Sequence, residues 1–165
     1  MLDRLTPRQG MAVICVGSLG LLAYGAYLQH VVGLEPCPMC IVQRYAFVLV
    51  ALFAGMGAVL RMRMAQLLAL LLMLLSAGFG AFVAARQSWL QWNPPEIVAC
   101  GRDFYGMIEN FPLQRVVPMI FKGSGDCTAI DWTFLGGTIA NWSFLCFVAT
   151  AVAGIWLTAR RLRTR

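Results

Sequence analysis

The sequence predicts an all-α membrane protein, a four-transmembrane-helix bundle with both termini in the cytoplasm and one long exported loop. Of its 165 residues, 60% are hydrophobic and 12% are charged, whereas about 25% of the residues in soluble globular domains are charged. Four apolar runs are each close to the ~20 residues that a helix needs to cross ~30 Å of hydrocarbon; they cover about residues 11–29, 41–60, 65–85 and 136–158.

The first span follows Arg4 and Arg8, so a cleavable signal peptide is the alternative interpretation of residues 1–29. A signal peptide has a short apolar core and a small-residue cleavage site. The apolar run here is longer and ends in AYLQHVV, without such a site. We therefore expect this segment to be the first span.

Basic residues indicate the orientation. Eight of the thirteen Lys and Arg residues fall in the two terminal tails and the 61–64 connection, where Asp3 is the only acid. The opposite face carries five basic and six acidic residues. Basic segments stay in the cytoplasm, so we expect cytoplasmic termini, exported loops at about residues 30–40 and 86–135, and a single membrane domain over 1–165. In this interpretation the arginines determine the orientation of the chain in the membrane, and nucleic acid is not an expected partner.

Aromatic and glycine residues fit this arrangement. Tryptophans near the span ends are typical of membrane interfaces; they are Trp89, Trp92, Trp132 and Trp156. Glycines within the spans allow close helix approach; they include Gly17, Gly20, Gly55, Gly57, Gly78 and Gly80. Residues 104–121 of the long loop are either a short interfacial amphipathic helix or a loop packed on the helix ends.

The six cysteines divide by depth. Cys15 and Cys146 lie within spans, where a thiol is usually a small buried hydrophobe, and we expect both to be inert. The other four lie on the exported face, where an even number allows two disulfides, and spacing favours the pairs Cys37–Cys40 and Cys100–Cys127. A four-cysteine zinc site is the competing interpretation, but only one pair has C-x-x-C spacing, so no metal is expected.

The stretch EPCPMCIVQRYAF, residues 35–47, concentrates the chemistry. Pro38 suits the first helical position, which places Cys40 in the first turn of the second span, near the positive end of the helix dipole. Arg44 follows four residues later on the same helical face. Both features favour a Cys40 thiolate. An arginine just inside the apolar boundary also calls for a partner, unless it extends to the headgroups.

The donor and the acceptor of the electrons are inferred by elimination. The sequence has no G-x-G-x-x-G fingerprint, and its single histidine, His30, cannot form a bis-histidine haem site. A dithiol at the bilayer edge can reach a lipid-soluble acceptor, for which a quinone is the obvious choice. On the aqueous side, the expected donor is another dithiol, because thiol–disulfide exchange needs no cofactor. An isolated Cys100–Cys127 bridge would be interpreted as structural, but the C-x-x-C pair on the same face favours a redox role.

These motifs resemble the DsbB family of inner-membrane disulfide-forming proteins of Gram-negative bacteria. The resemblance covers essentially the whole chain and rests on CPMCIVQR (37–44), Cys100, SGDC (124–127) and DWTFLG (131–136). It implies a four-span bundle with a long periplasmic loop, and an enzyme that reoxidises the thioredoxin-fold protein DsbA and reduces ubiquinone or menaquinone. The alternatives are a paralogue dedicated to a specialised thioredoxin-fold client and a non-catalytic, disulfide-stapled scaffold.

The resemblance also implies residue roles. Cys100 would form the mixed disulfide with DsbA, Cys127 would exchange with Cys37, and Cys40 would face the quinone with the help of Arg44. Family members can carry a histidine in the loop ahead of the first cysteine of the long loop. This chain has Gln87 in the corresponding region.

Overall fold

A computed structural model of the chain describes residues 6–93 and 128–163. The elements within these ranges are α1 (Pro7–His30), α2 (Pro38–Val59), α3 (Arg63–Trp92), β1 (Thr133–Phe134), β2 (Gly137–Thr138) and α4 (Ile139–Arg163). All four helices are long and apolar enough to cross a membrane. The predicted four-span bundle is confirmed, while residues 104–121 lie outside the described ranges.

The helices alternate in direction. At one end of the bundle the Arg8 Nε donates to the Ala58 carbonyl at 2.9 Å, which joins the start of α1 to the end of α2. Arg63 Nη2 donates to the Leu162 carbonyl at 3.2 Å, which joins the start of α3 to the end of α4. We call this the arginine end, and the opposite end the cysteine end. Both termini of the bundle therefore lie at the arginine end; that this end is cytoplasmic remains a prediction.

Two boundaries differ from the predicted spans. The third span was expected to end at residue 85, but α3 continues to Trp92. Its 30 residues would extend ~45 Å at 1.5 Å per residue, longer than the hydrocarbon layer. Charged and polar residues begin after 85, but they do not terminate the helix, because a helix can continue after it has left the hydrocarbon. The fourth span was expected from residue 136, but α4 begins at Ile139, because a hairpin occupies the preceding residues.

The hairpin pairs β1 with β2 in antiparallel register, with Phe134 opposite Gly137. Its two turn residues, Leu135 and Gly136, have φ angles of 51° and 79°. Positive φ at both central positions is the property of a type I′ turn, whose twist matches that of paired strands. The Trp142 indole N–H donates to the Phe134 carbonyl at 3.0 Å. The hairpin is thus fixed to the start of α4 at the cysteine end.

The centre of the bundle is packed through aromatic rings and glycines. The rings of Phe47 and Phe147 stack with centroids 3.9 Å apart. A Cβ added at Gly80 would overlap the Phe147 ring, and one added at Gly57 would overlap the Met11 sulfur. The expected close helix approach is confirmed at these glycines. It is wrong for the glycines where an added Cβ meets nothing within 4 Å, which are Gly17, Gly20 and Gly78.

The outer surface of the bundle is apolar. Large hydrophobic side chains point outward along the helices, among them Val16 and Phe82, each 69% exposed. Soluble monomers rarely present contiguous apolar surface of this kind. Lipid is the environment in which such a surface is stable, as the span lengths also require.

Candidate active site at the cysteine end

Cys37 and Cys40 bring their sulfurs together where α2 begins. Cys37 is the N-cap of α2, and Pro38 is its first residue. The two sulfurs are 3.0 Å apart, and the Cys40 backbone N–H donates to the Cys37 sulfur at 3.3 Å. The expectation that Pro38 starts the helix and places Cys40 in its first turn is therefore confirmed.

The two sulfurs have different surroundings. The Cys40 backbone N–H at the helix start donates to the Cys37 sulfur, while the expected effect of the helix dipole on the Cys40 thiol remains a prediction. An N-cap side chain accepts from the first turn, and Cys37 occupies the N-cap. Cys37 is only 4% exposed, whereas Cys40 is half-buried. Cys40 is therefore the more exposed residue of the pair, although Cys37 receives the helix-terminal hydrogen bond.

A buried carboxamide lies across both thiols. Gln87 Nε2 donates to the Cys37 sulfur at 3.3 Å and to the Cys40 sulfur at 3.2 Å. Gln43 Nε2 donates to the Gln87 Oε1 at 2.6 Å. Gln43 and Gln87 are each 3% exposed. The predicted position of Gln87 in the loop is wrong, because it lies within α3 and faces the dithiol.

Gln43 is the residue of this site that sequence reasoning missed. It follows Cys40 by three positions, so the two side chains lie on the same helical face. That spacing, combined with a polar residue inside an apolar span, is the signal that could have identified it. Its partner Gln87 is 44 positions away on another helix, which the local pattern does not reveal.

Arg44 is held by the end of α1. Its Nη1 donates to the Gln29 Oε1, and its Nη2 donates to the Gly25 carbonyl at 3.0 Å. The expectation that a guanidinium at this depth needs partners is confirmed. Among the described residues, the guanidinium donates to Gln29 and Gly25 and not to Cys40, and the expected effect of its charge on the Cys40 thiol remains a prediction.

A cavity of about 380 Å³ opens beside the dithiol, and all four helices contribute to its wall. Cys37, Cys40 and Arg44 line it, and most of the other lining side chains are apolar. This size and lining are typical of small-molecule sites. Cys146, which was expected to be an inert thiol within its span, also lines the cavity. Its inertness remains a prediction.

The segment before α4 closes one side of the cavity. The Trp132 ring meets the Tyr24 ring edge to face, with centroids 6.4 Å apart. Thr138 Oγ1 donates to the Gln91 Oε1 at 2.8 Å, which ties the hairpin to α3. Trp132, expected at an interface, thus lies in the cavity wall.

Cys100 and Cys127 lie outside the described residues, and their predicted pairing is unchanged as a prediction. Across residues 6–93 and 128–163, no three His, Cys, Asp or Glu side chains are grouped as metal ligands would be. The fold and the described site define a four-span membrane protein with a dithiol facing a mostly apolar cavity. Dithiols exchange with disulfides and can be oxidised by a two-electron acceptor.

Comparison with known proteins identifies the family. Residues 7–157 match the family described as disulfide bond formation protein DsbB. The chain is 65% identical over 159 residues to Disulfide bond formation protein B of a Polaromonas species, covering 96% of this chain and 95% of that protein. The homonymous protein of Polaromonas naphthalenivorans is 63% identical over 159 residues, with the same coverage.

A more distant relative, Disulfide bond formation protein B of an Azoarcus species, is 54% identical over 151 residues, which is 87% of each chain. The protein therefore belongs to the DsbB family, and the resemblance drawn from its cysteine motifs is confirmed.

Proposed function

We propose that the protein is a protein-disulfide:quinone oxidoreductase of the bacterial inner membrane. It reoxidises a DsbA-like periplasmic thioredoxin-fold protein and passes the electrons to ubiquinone or menaquinone. The observation that carries this proposal is the Cys37–Cys40 dithiol on the wall of a mostly apolar cavity inside a membrane-spanning bundle. The names of relatives such as those from Polaromonas support the disulfide-forming part of the proposal.

The aqueous half of the reaction is a chain of thiol–disulfide exchanges. A thiolate of the partner attacks the Cys100 sulfur, which breaks the Cys100–Cys127 bond and forms a mixed disulfide. The released Cys127 thiolate attacks Cys37, which breaks the Cys37–Cys40 bond and releases the Cys40 thiolate. The second partner thiol then displaces Cys100, and Cys100 displaces Cys37 from Cys127. The partner leaves as a disulfide, and Cys37 and Cys40 are left reduced.

The membrane half returns Cys37 and Cys40 to a disulfide. A bound quinone supplies an acceptor for the two electrons and two protons that the dithiol gives up. Both cysteines line the cavity, and Cys40 is the more exposed residue of the two, so we place its sulfur against the acceptor.

The residues around the cavity fit an acceptor with an apolar body and polar oxygens. Arg44 lines the cavity while Gln29 and the Gly25 carbonyl hold its guanidinium from α1. A guanidinium has five N–H donors in a fixed plane. A positive group fixed before the reaction stabilises the negative charge that develops on an acceptor oxygen. The described residues therefore supply the nucleophile, an electrostatic stabiliser and an apolar enclosure.

Turnover without oxygen tests this proposal. Purified protein in quinone-free detergent is given an excess of reduced DsbA-like partner under anaerobic conditions. We expect oxidation of the partner to stop after about two disulfide equivalents per protein, and to continue when ubiquinone or menaquinone is added. Sustained oxidation without quinone would overturn the quinone assignment. Thiols that never change would indicate a disulfide-stapled scaffold, and turnover with another thioredoxin-fold client alone would indicate a dedicated paralogue.

A further inference from the structure

We propose that Gln87 is a catalytic residue of the dithiol and that Gln43 is its positioning residue. In this inference the two N–H bonds of the Gln87 carboxamide hold the Cys37 and Cys40 sulfurs and favour the thiolate. Gln43 fixes which end of the Gln87 carboxamide faces them. The inference rests on the proposed function only in taking the Cys37–Cys40 pair as redox-active.

The Gln87 carboxamide has a hydrogen-bonding group for each of its partners. A carboxamide has two N–H donors on its nitrogen and an acceptor oxygen. Gln87 Nε2 lies 3.3 Å from the Cys37 sulfur and 3.2 Å from the Cys40 sulfur, so one N–H of Gln87 is available to each sulfur. The Gln87 Oε1 is 3.7 Å from the Cys40 sulfur but only 2.6 Å from its donor on Gln43.

The Gln43 contact sets the orientation of Gln87. If the Gln87 carboxamide were turned over, its nitrogen would face the Gln43 nitrogen, and its oxygen lone pairs would face the sulfurs. Two N–H donors that face each other, and oxygen lone pairs that face a thiolate, are both unfavourable contacts. With Gln43 in place, the N–H end of Gln87 points to the dithiol and supplies donors when a sulfur becomes negative.

The burial of the two glutamines strengthens the effect of their N–H donors. Gln43 and Gln87 are each 3% exposed, and water does not compete effectively for hydrogen bonds there. An anionic sulfur at that depth is costly without donors, while hydrogen bonds to a charged acceptor are stronger than neutral ones. Arg44 makes its hydrogen bonds to α1. Of Gln87 and Arg44, it is therefore Gln87 that donates directly to the Cys40 sulfur.

A carboxamide does not titrate, so it holds the sulfurs in the same way at every pH. Charged or titratable side chains do face the same cavity from the other elements; within the described ranges they are Tyr24, Glu35, Arg44, Asp131 and Cys146. α3 contributes only the carboxamides Gln87 and Gln91 to this wall. A histidine at position 87 would add a group that titrates near neutral pH, so Gln87→His should add a second step to the pH profile of thiol reactivity.

The test measures thiolate formation without quinone. Fully reduced, full-length protein in quinone-free detergent is treated with iodoacetamide at a series of pH values, and alkylation of Cys40 is followed by peptide mass analysis. Gln87→Met keeps the chain length but removes both donors. We expect its half-maximal alkylation to move upward by about one pH unit, which is about tenfold less thiolate at a fixed pH below the midpoint. Gln43→Met should move it in the same direction by less.

Gln66→Met is the matched control. Gln66 is also a buried glutamine of α3, 1% exposed, but its Nε2 donates to the Leu60 carbonyl at 2.6 Å. This variant should alter stability and leave the alkylation profile unchanged. A Gln87→Met profile that coincides with those of wild type and Gln66→Met would overturn the inference.

If Gln87→Met does not fold, Gln43→Met is compared with the same control, and a Gln43→Met profile without an upward shift would then overturn the inference. Because quinone is absent, this assay also separates the two proposals. A shifted profile in a protein that never turns over quinone would contradict the proposed function and leave the role of Gln87 standing.

Discussion

Gln66 and Gln87 are the same residue type on the same helix, both buried, at opposite ends of the bundle. Gln66 donates to the backbone carbonyl of Leu60, the residue that caps the end of α2. Gln87 donates to two sulfurs. The first contact satisfies a carbonyl left open at a helix end, and the second holds the pair that we propose to be redox-active.

The same difference holds for the arginines at the two ends. At the arginine end, Arg8 and Arg63 donate to the carbonyls of Ala58 and Leu162 near helix C-termini, where positive charge is favourable. At the cysteine end, Arg44 is held against α1 and lines the cavity. The two guanidiniums of the arginine end thus bond helix-terminal carbonyls, whereas the guanidinium of Arg44 lines the cavity of the proposed site.

The largest expected effect is that of Cys40→Ser. If Cys40 faces the acceptor, a hydroxyl in its place cannot form the disulfide, and quinone-dependent turnover should fall on the order of a thousandfold or more. The measurement is anaerobic turnover with a DsbA-like partner and added quinone. Cys15→Ser, in α1, is the control and should keep its turnover. Turnover of Cys40→Ser within tenfold of wild type would contradict the assignment of the cysteine end as the reactive end.

Arg44→Ala tests the arginine of the cysteine end, for comparison with a substitution at the arginine end. The loss of a charge-assisted contact worth roughly 1.5–3 kcal/mol should lower kcat/KM for quinone by about tenfold to a hundredfold. Arg44→Lys should recover only part, because an ammonium lacks the planar fork. Exchange between the partner and the Cys100–Cys127 pair should be nearly normal.

Arg63→Ala is the matched control for Arg44, since its guanidinium contacts a backbone carbonyl. Its kcat/KM for quinone should be close to wild type. Equal losses in Arg44→Ala and Arg63→Ala would show that arginines at both ends act only on the stability of the bundle.

Gly80→Ala separates packing from chemistry. The added methyl would overlap the Phe147 ring, and such overpacking typically costs about 1–3 kcal/mol of unfolding free energy. Gly78→Ala meets open space and should be as stable as wild type or more so, by up to about 1 kcal/mol. Thermal unfolding in detergent measures both, and turnover per folded molecule should be unchanged. An unaltered unfolding midpoint in Gly80→Ala would contradict the packing seen here.

The smallest effects are expected for Cys146→Ala and Cys15→Ala. Both thiols lie on helices within the bundle, so we expect turnover within about twofold of wild type. Cys146 is the more informative of the two, because it lines the cavity. A large loss in Cys146→Ala at normal protein levels would mean that a third thiol takes part in the cysteine-end chemistry.

The sequence predicted the bundle well for a physical reason. Backbone groups in hydrocarbon must be satisfied within the segment, so a long apolar run that spans a bilayer as a single segment is a helix. The start of α2 was equally predictable, because Pro38 suits the first helical position. The motif then placed both thiols correctly at that start.

Contacts between distant segments could not be inferred from local patterns. The Gln43–Gln87 bond depends on how α2 and α3 are rotated against each other, and the partners of Arg44 depend on the position of α1. The hairpin before α4 was missed because its strands have only two residues each, too few for a periodic signal.

Simultaneous counting of quinol and thiols in one anaerobic reaction measures the transfer of electrons from the Cys37–Cys40 pair to quinone. A variant with Cys100→Ala and Cys127→Ala is fully reduced and mixed with a stoichiometric amount of quinone. Quinol is measured by absorbance, and the remaining thiols are alkylated and mapped. We predict that quinol and the Cys37–Cys40 disulfide form in equal amounts. Quinol that forms while Cys37 and Cys40 both stay open to alkylation, or a dithiol that quinone leaves reduced, would contradict the proposed function.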